Sequence, residues 1–282
     1  MSHSPSRDLV PNLVICAMAL MVGAIFCWIL GNIFWQGIHG LSWSFLFSNP
    51  EDSGRAGGIY PILVSTSWIL MICLGISFPL GLGTAILLAE FSHYFPQIRR
   101  SVEWSLDVLA GVPSIVFGLF GNVFFAKLLG FGFSLLSGGL TLACMVLPIL
   151  IRAIQQSLQN IPDQDRRSAA ALGLSKWSTF WVLLLPAAMP GVVVGLLLGL
   201  GRAIAETAAL IFTSGYVDRM PRSIWDSGRS LSIHIYDLAM NVTGGEPNAY
   251  TTAAVLISIL ILTNTSVAAL GVWFRDRRLQ SL

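Results

Sequence analysis

Six stretches of this 282-residue chain contain no Asp, Glu, Lys or Arg: residues 9–50, 56–89, 108–126, 128–151, 177–201 and 247–274. A helix needs about 20 apolar residues to cross about 30 Å of hydrocarbon, and each stretch can hold one. With no water in the bilayer core, backbone N–H and C=O groups must be satisfied within the segment, which leaves helix as the spanning form for runs of this length. The pattern predicts an all-α integral membrane protein with six transmembrane helices, at about 12–36, 61–90, 106–128, 137–157, 187–213 and 249–273. Only 11% of the residues are charged, against about a quarter in an ordinary soluble domain.

The segments between these spans are 1–11, 37–60, 91–105, 129–136, 158–186, 214–248 and 274–282. If the N-terminus is cytoplasmic, Arg7, Arg99, Arg100, Arg152, Arg166, Arg167, Lys176, Arg275, Arg277 and Arg278 lie inside, and Arg55, Lys127, Arg219, Arg222 and Arg229 lie outside. That two-to-one bias follows the positive-inside rule and puts both termini in the cytoplasm. The first apolar run is too long for the core of a signal peptide, so it is read as an uncleaved helix. A net charge of +2, spread along the chain, gives no footing for nucleic acid.

Catalytic and cofactor patterns are missing from the sequence. Its two lysines, Lys127 and Lys176, do not sit in a GxxxxGK[ST] loop, so no ATP site is expected here. HExxH and GxSxG are absent, and His3, His39, His93 and His234 are scattered. Cys16, Cys27, Cys73 and Cys144 lie in apolar runs without a CxxC and read as packing residues. Pro113, in LAGVPSIVFGLFG, interrupts the third span; such a break is tolerated where freed backbone groups meet protein or a cavity.

Two features remain that carry chemistry. From 163 to 173, DQDRRSAAALG reads as a short helix with acidic residues at its positive end and Gly173 in the left-handed position past its last turn. Ser175 can cap a second short helix beginning at Lys176. Physics alone leaves this segment either an ordered loop or a docking element. The other feature is Arg202, sixteen residues beyond Pro186 and so past the middle of the fifth span. A charge at the bilayer centre costs about 2.5–3.5 kcal/mol even on the lenient insertion scale. Arg202 and Glu206 are four apart, one helical turn, and can pair; the pair is either a structural salt bridge or part of an anion site. Gly191, Gly195 and Gly199 form a ridge that lets a neighbouring helix approach. The outer segment 214–247 offers Tyr216, Arg219, Arg222, Trp225, Arg229, His234 and Tyr236, either as a solvated loop or as a surface for a partner.

Ala169, Ala170, Gly173, Leu183, Leu185 and Pro186 fall at the spacings of the EAA loop of ABC importer permeases, with Pro186 thirteen residues after Gly173. Arg167 stands at the motif's Glu and Ser168 at its first Ala, which reverses the charge offered to a partner. GGIYPILVSTSW, LAGVPSIVFGLFG, GRAIAETAALIFTSG and IYDLAM extend the likeness over roughly residues 57–275. In these phrases the chain resembles phosphate-specific transport permeases, the shorter A-type subunits in particular.

The resemblance implies the type I ABC importer permease fold, with a permease core at about 61–273. It implies a phosphate path touching Arg202, Glu206 and Thr207, and coupling to an ATPase through Asp165, Arg167, Ala169, Ala170, Gly173 and Pro186. Implied partners are a second homologous permease, two ATPase subunits and an external phosphate-binding protein. ATP and Mg would sit on the ATPase, leaving this chain a cofactor-free transport subunit in the lipid bilayer of a bacterial inner membrane. The rival expectations are a permease for tungstate or molybdate and a stand-alone ion-coupled carrier.

Overall fold

A computed structural model describes residues 9–91 and 96–280, with side-chain surroundings for 12–90 and 96–269. Helix α1 (Leu9–Gly37) is followed by α2 (Trp43–Phe47), which Ser42 caps by accepting from Phe45 N at 3.1 Å. A two-residue antiparallel ladder, β1 (Pro50–Glu51) with β2 (Ala56–Gly57), completes that connection. Helix α3 (Tyr60–Ile86) continues through Pro79 into a π-helical turn, Leu87–Phe91. Next come α4 (Pro96–Gly111), α5 (Ser114–Gly121) with its π extension Asn122–Leu128, and α6 (Leu135–Gln159). The short helices α7 (Asp163–Ala171) and α8 (Lys176–Thr179) lead through a π turn, Phe180–Leu184, into α9 (Leu185–Ile204). The chain closes with α10 (Ala208–Ile211), α11 (Leu231–Met240) and α12 (Glu246–Gln280).

Among the described residues, five helical stretches are long and apolar enough to cross a membrane: Asn12–Gly40, Tyr60–Glu90, Leu135–Gln159, Lys176–Ile204 and Glu246–Ala269. The α4–α5 pair, bent by 103°, makes a sixth when counted as one span. The bend sits where Pro113 takes an extended backbone (φ −59, ψ 142), because proline lacks an N–H for the helix ladder and disfavours helix at the residue before it.

Three segments differ in form from the sequence expectation. The stretch 96–105, expected as loop, is the first part of α4; residues 92–95 lie outside the described residues. Pro96 opens that helix, Arg99 Nε donates to Glu103 at 3.0 Å one turn on, and Gln155 of α6 donates to the same carboxylate at 3.0 Å. The expected fifth span, 187–213, stops as a regular helix at Ile204. Within 214–248 the chain forms α11, which Ser230 caps by accepting from Ile233 N. Of the terminal segments, 1–8 and 281–282 lie outside the described residues, and 274–280 are described only as helical backbone.

Helix α6 is the axis of the bundle, with α3 along one flank and α9 along another. One apolar cluster, around Leu88, Leu150, Ile154, Leu158, Leu184 and Val192, fills the α7 end. A second, around Ile69, Phe117, Leu142, Val146, Leu210 and Ile233, fills the α11 end. The glycine ridge of α9 faces α6: a Cβ at Gly191 would run into Ser157, at Gly195 would meet Ala153 Cβ at 3.1 Å, and at Gly199 Val146 Cγ1 at 2.7 Å. Helix α1 lies along α12 and leaves most of its surface open, as suits a lipid-facing helix.

Candidate functional site

Arg202 occupies the last turn of α9, one turn on from the ridge glycine Gly199. Its side chain is exposed, and no hydrogen bond or ion pair reaches it among the described residues. Glu206 does not pair with it. The helix has ended, and Glu206 Oε1 instead accepts from Ala209 N at 3.2 Å, satisfying one of the free donors at the start of α10. The Glu206 carbonyl accepts from Ser232 Oγ of α11 at 2.6 Å. Thr207, half-buried, stands at the junction before Ala208 with a non-ideal backbone (φ −116, ψ −51). Arg202, Glu206 and Thr207 are therefore near in sequence but separated in role, one free guanidinium beside a capped break.

Helix α5 holds that break in place. A Cβ at Gly118 would approach Ala209 Cα to 2.8 Å, and Asn122 Nδ2 donates to Phe212 O at 2.7 Å. The two phrases VPSIVFGLFG and ETAALIFTSG thus meet as packed surfaces, and irregular backbone at membrane depth is tolerated where protein covers it in this way. From the other side, Leu231 N donates to Thr66 Oγ1 of α3 at 3.0 Å, fixing the start of α11.

A groove of about 590 Å3 runs between α6 and α9 toward the α7 end, with Arg152, Gln156, Asn160, Gly191, Val194 and Leu198 on its walls. Arg152 is held there by Asp107 and by the Glu103 carbonyl at 3.1 Å. Val194, Leu198 and Arg202 follow at four-residue steps and are all exposed, so one open strip of α9 leads from the groove to the free guanidinium.

Helix α7 has two faces. Arg167 and Ala170 point outward with Ala171 and Leu172, whereas Ala169 is buried against the bundle and Asp165 is half-buried. Gly173 has φ +75 and its N–H donates to Ala170 O at 3.0 Å, the left-handed ending that lets the chain turn off the helix. Pro186 is exposed in the first turn of α9. The residue that sequence reasoning passed over is Arg166: its guanidinium reaches Glu90, Leu158 O and Ile161 O. Its position three before Ala169, on the buried side, was the available signal; its acidic partner is 76 residues away.

At the opposite end Arg229 and His234 are buried rather than presented to solvent. Arg229 donates to Tyr216 O at 2.9 Å and Asp237 at 2.9 Å and reaches Asp218 at 3.4 Å. His234 Nδ1 lies 3.2 Å from Arg229 Nη1, so it accepts there and the ring proton is assigned to Nε2. Burial, then the Arg229 charge, pushes the His234 pKa down to about 3. Tyr216, Arg219, Arg222, Trp225 and Tyr236 form the exposed surface that remains.

Residues 77–280 match the binding-protein-dependent transport system inner membrane component family. A probable ABC transporter permease protein of Bacillus subtilis is 29% identical over 270 residues, covering 90% of this chain and 91% of its own length. Phosphate transport system permease protein PstA 1 of Mycobacterium tuberculosis is 34% identical over 227 residues, covering 79% and 73%. Among solved structures, a bacterial ABC transporter that imports alginate superposes with a TM-score of 0.62 at 16% identity, covering 93% of this chain and 98% of that one. The MetNI methionine transporter gives 0.60 at 17% identity, covering 77% and 94%. Permeases of this family work with a second permease, an ATPase and an external binding protein. With its family model covering residues 77–280, the chain belongs to the binding-protein-dependent transport system inner membrane components, the non-catalytic permease subunits of ABC importers.

Proposed function

We propose that this permease carries inorganic phosphate inward, with Arg202 as the cationic contact on the path. The supporting observation is the unequal state of two guanidiniums. Of the arginines inside the five long spans of the described residues, Arg152 is held by Asp107, while Arg202 is exposed and without an anionic partner. A permanent charge in a spanning segment faces protein, water or a ligand rather than lipid. Guanidinium offers donors in a plane that matches the oxygens of a tetrahedral anion. The phosphate permease named above, at 34% identity, supplies the choice of anion.

The open strip Val194, Leu198, Arg202 is then one wall of a path that a second, related permease completes. The basic bias of the sequence puts both termini and α7 in the cytoplasm. There α7 meets one of two ATPase subunits, which bind ATP and Mg, and the exposed surface beside α11 receives an external phosphate-binding protein. Arg167, in place of the usual acid, presents a positive charge to the motor.

Uptake by the complete complex in proteoliposomes tests this. Labelled phosphate should enter only with ATP and be displaced by unlabelled phosphate far better than by tungstate or molybdate. Preferential displacement by either of those oxyanions would contradict the phosphate assignment, and uptake by this chain without an ATPase would contradict the importer.

A further inference from the structure

We propose that Arg166 is a positioning residue that latches the docking helix to the bundle through Glu90, so that motion of α7 is delivered to α3 and α6 together. The proposal rests on the importer reading above but not on which anion is carried. The geometry is a fork: Arg166 Nη2 lies 2.8 Å from Glu90 Oε1 and Nε lies 3.4 Å from Oε2. The same guanidinium donates from Nη1 to Ile161 O at 2.6 Å and from Nη2 to Leu158 O at 2.8 Å. Leu158 lies in the last turn of α6, and Ile161 lies two residues past its end, in the short connection to α7. Glu90 belongs to the π turn that closes α3. One side chain therefore joins three elements, and the pair is largely shielded, with side chains 23% and 18% exposed.

The covalent route from α7 to α9 is less supported. It turns at Gly173, where a Cβ would meet nothing within 4 Å, and then passes the four-residue α8 and a π turn. Force on the outward residues Arg167 and Ala170 reaches α6 directly through the three-residue connection 160–162, and Arg166 adds the tie to Glu90 that engages α3 at the same time. Helix α6 in turn bears on α9 along Gly191, Gly195 and Gly199, one turn short of Arg202. Lysine at position 166 would keep the charge but lose the fork that grips Glu90 and two carbonyls at once.

The test uses the complex of this chain with its second permease and ATPase, native cysteines replaced by serine, and Leu198→Cys as a reporter on the open strip of α9. ATP with vanadate should change the maleimide labelling rate of that cysteine by about fivefold or more when the latch is intact. Glu90→Gln and Arg166→Leu should abolish the change while the ATPase still co-purifies, and Arg166→Lys should retain part of it. A change that persists in both Glu90→Gln and Arg166→Leu overturns the latch. Loss of the ATPase from those complexes also overturns it, since the pair would then be structural. The absence of any ATP-dependent change with the latch intact overturns the importer reading along with it.

Discussion

Replacing single glycines of α9 by alanine separates the packed face of this helix from its open one. Alanine in place of glycine favours helix by up to about 1 kcal/mol wherever the methyl has room. At Gly201 it has room, since nothing lies within 4 Å of a Cβ there. At Gly199 the methyl would sit 2.7 Å from Val146 Cγ1, a clash that must be relieved by shifting α6 or α9. Overpacking of that kind costs about 1–3 kcal/mol. Gly195 lies between, with Ala153 Cβ at 3.1 Å and Leu150 Cδ1 at 3.3 Å. Thermal unfolding of the purified chain in detergent, followed by tryptophan fluorescence, should therefore rank Gly201→Ala highest, Gly195→Ala next and Gly199→Ala lowest. The helix-propensity gain is common to both, so the gap between the first and last is the overpacking cost of about 1–3 kcal/mol, which at about 2–4 °C per kcal/mol for a large domain is several degrees. Equal stability of Gly199→Ala and Gly201→Ala would refute the α6–α9 ridge as the contact that positions Arg202.

Gly173→Asp should leave the chain folded, because the site is open and the left-handed strain is about 1–2 kcal/mol, yet it should uncouple ATP hydrolysis from transport; a complex with unchanged coupling would sink the docking role of that turn. His234 is held neutral, with its pKa pushed down from 6.5 to about 3, so the unfolded chain binds the extra proton in between and stability falls as pH drops below about 6.5. Between pH 7 and pH 5 that loss is about 2 kcal/mol, seen as a lower unfolding temperature; His234→Gln should flatten the dependence, and an unaltered dependence in that variant would contradict the assignment.

The apolar spans were legible because charge is excluded from hydrocarbon, so gaps between charged residues outline the helices before any propensity is weighed. The break after Ile204 was not, because RAIAETAAL contains neither Gly nor Pro past Gly201 and reads as helix. The break combines a local bond, the Glu206 carboxylate accepting from Ala209 N three residues on, with a tertiary one, the Glu206 carbonyl accepting from Ser232 Oγ of α11. Those contacts also cancel the Arg202–Glu206 pairing that helical spacing suggested. Arg229 and His234 looked like surface groups for the same reason, since their partners Tyr216, Asp218 and Asp237 converge on them only in the folded segment. In α7 the pattern was readable as a helix with a glycine ending, but not which side faces the bundle. That depends on Glu90, at the far end of α3.

The free guanidinium of Arg202 carries the account. ATP-driven uptake of labelled phosphate by the whole complex in proteoliposomes, compared between the unmodified chain, Arg202→Lys and Arg202→Gln, tests it most directly. Loss of uptake in Arg202→Gln, with partial uptake in Arg202→Lys and full assembly of partners in both, is the predicted result. Uptake by Arg202→Gln at the unmodified rate would contradict it.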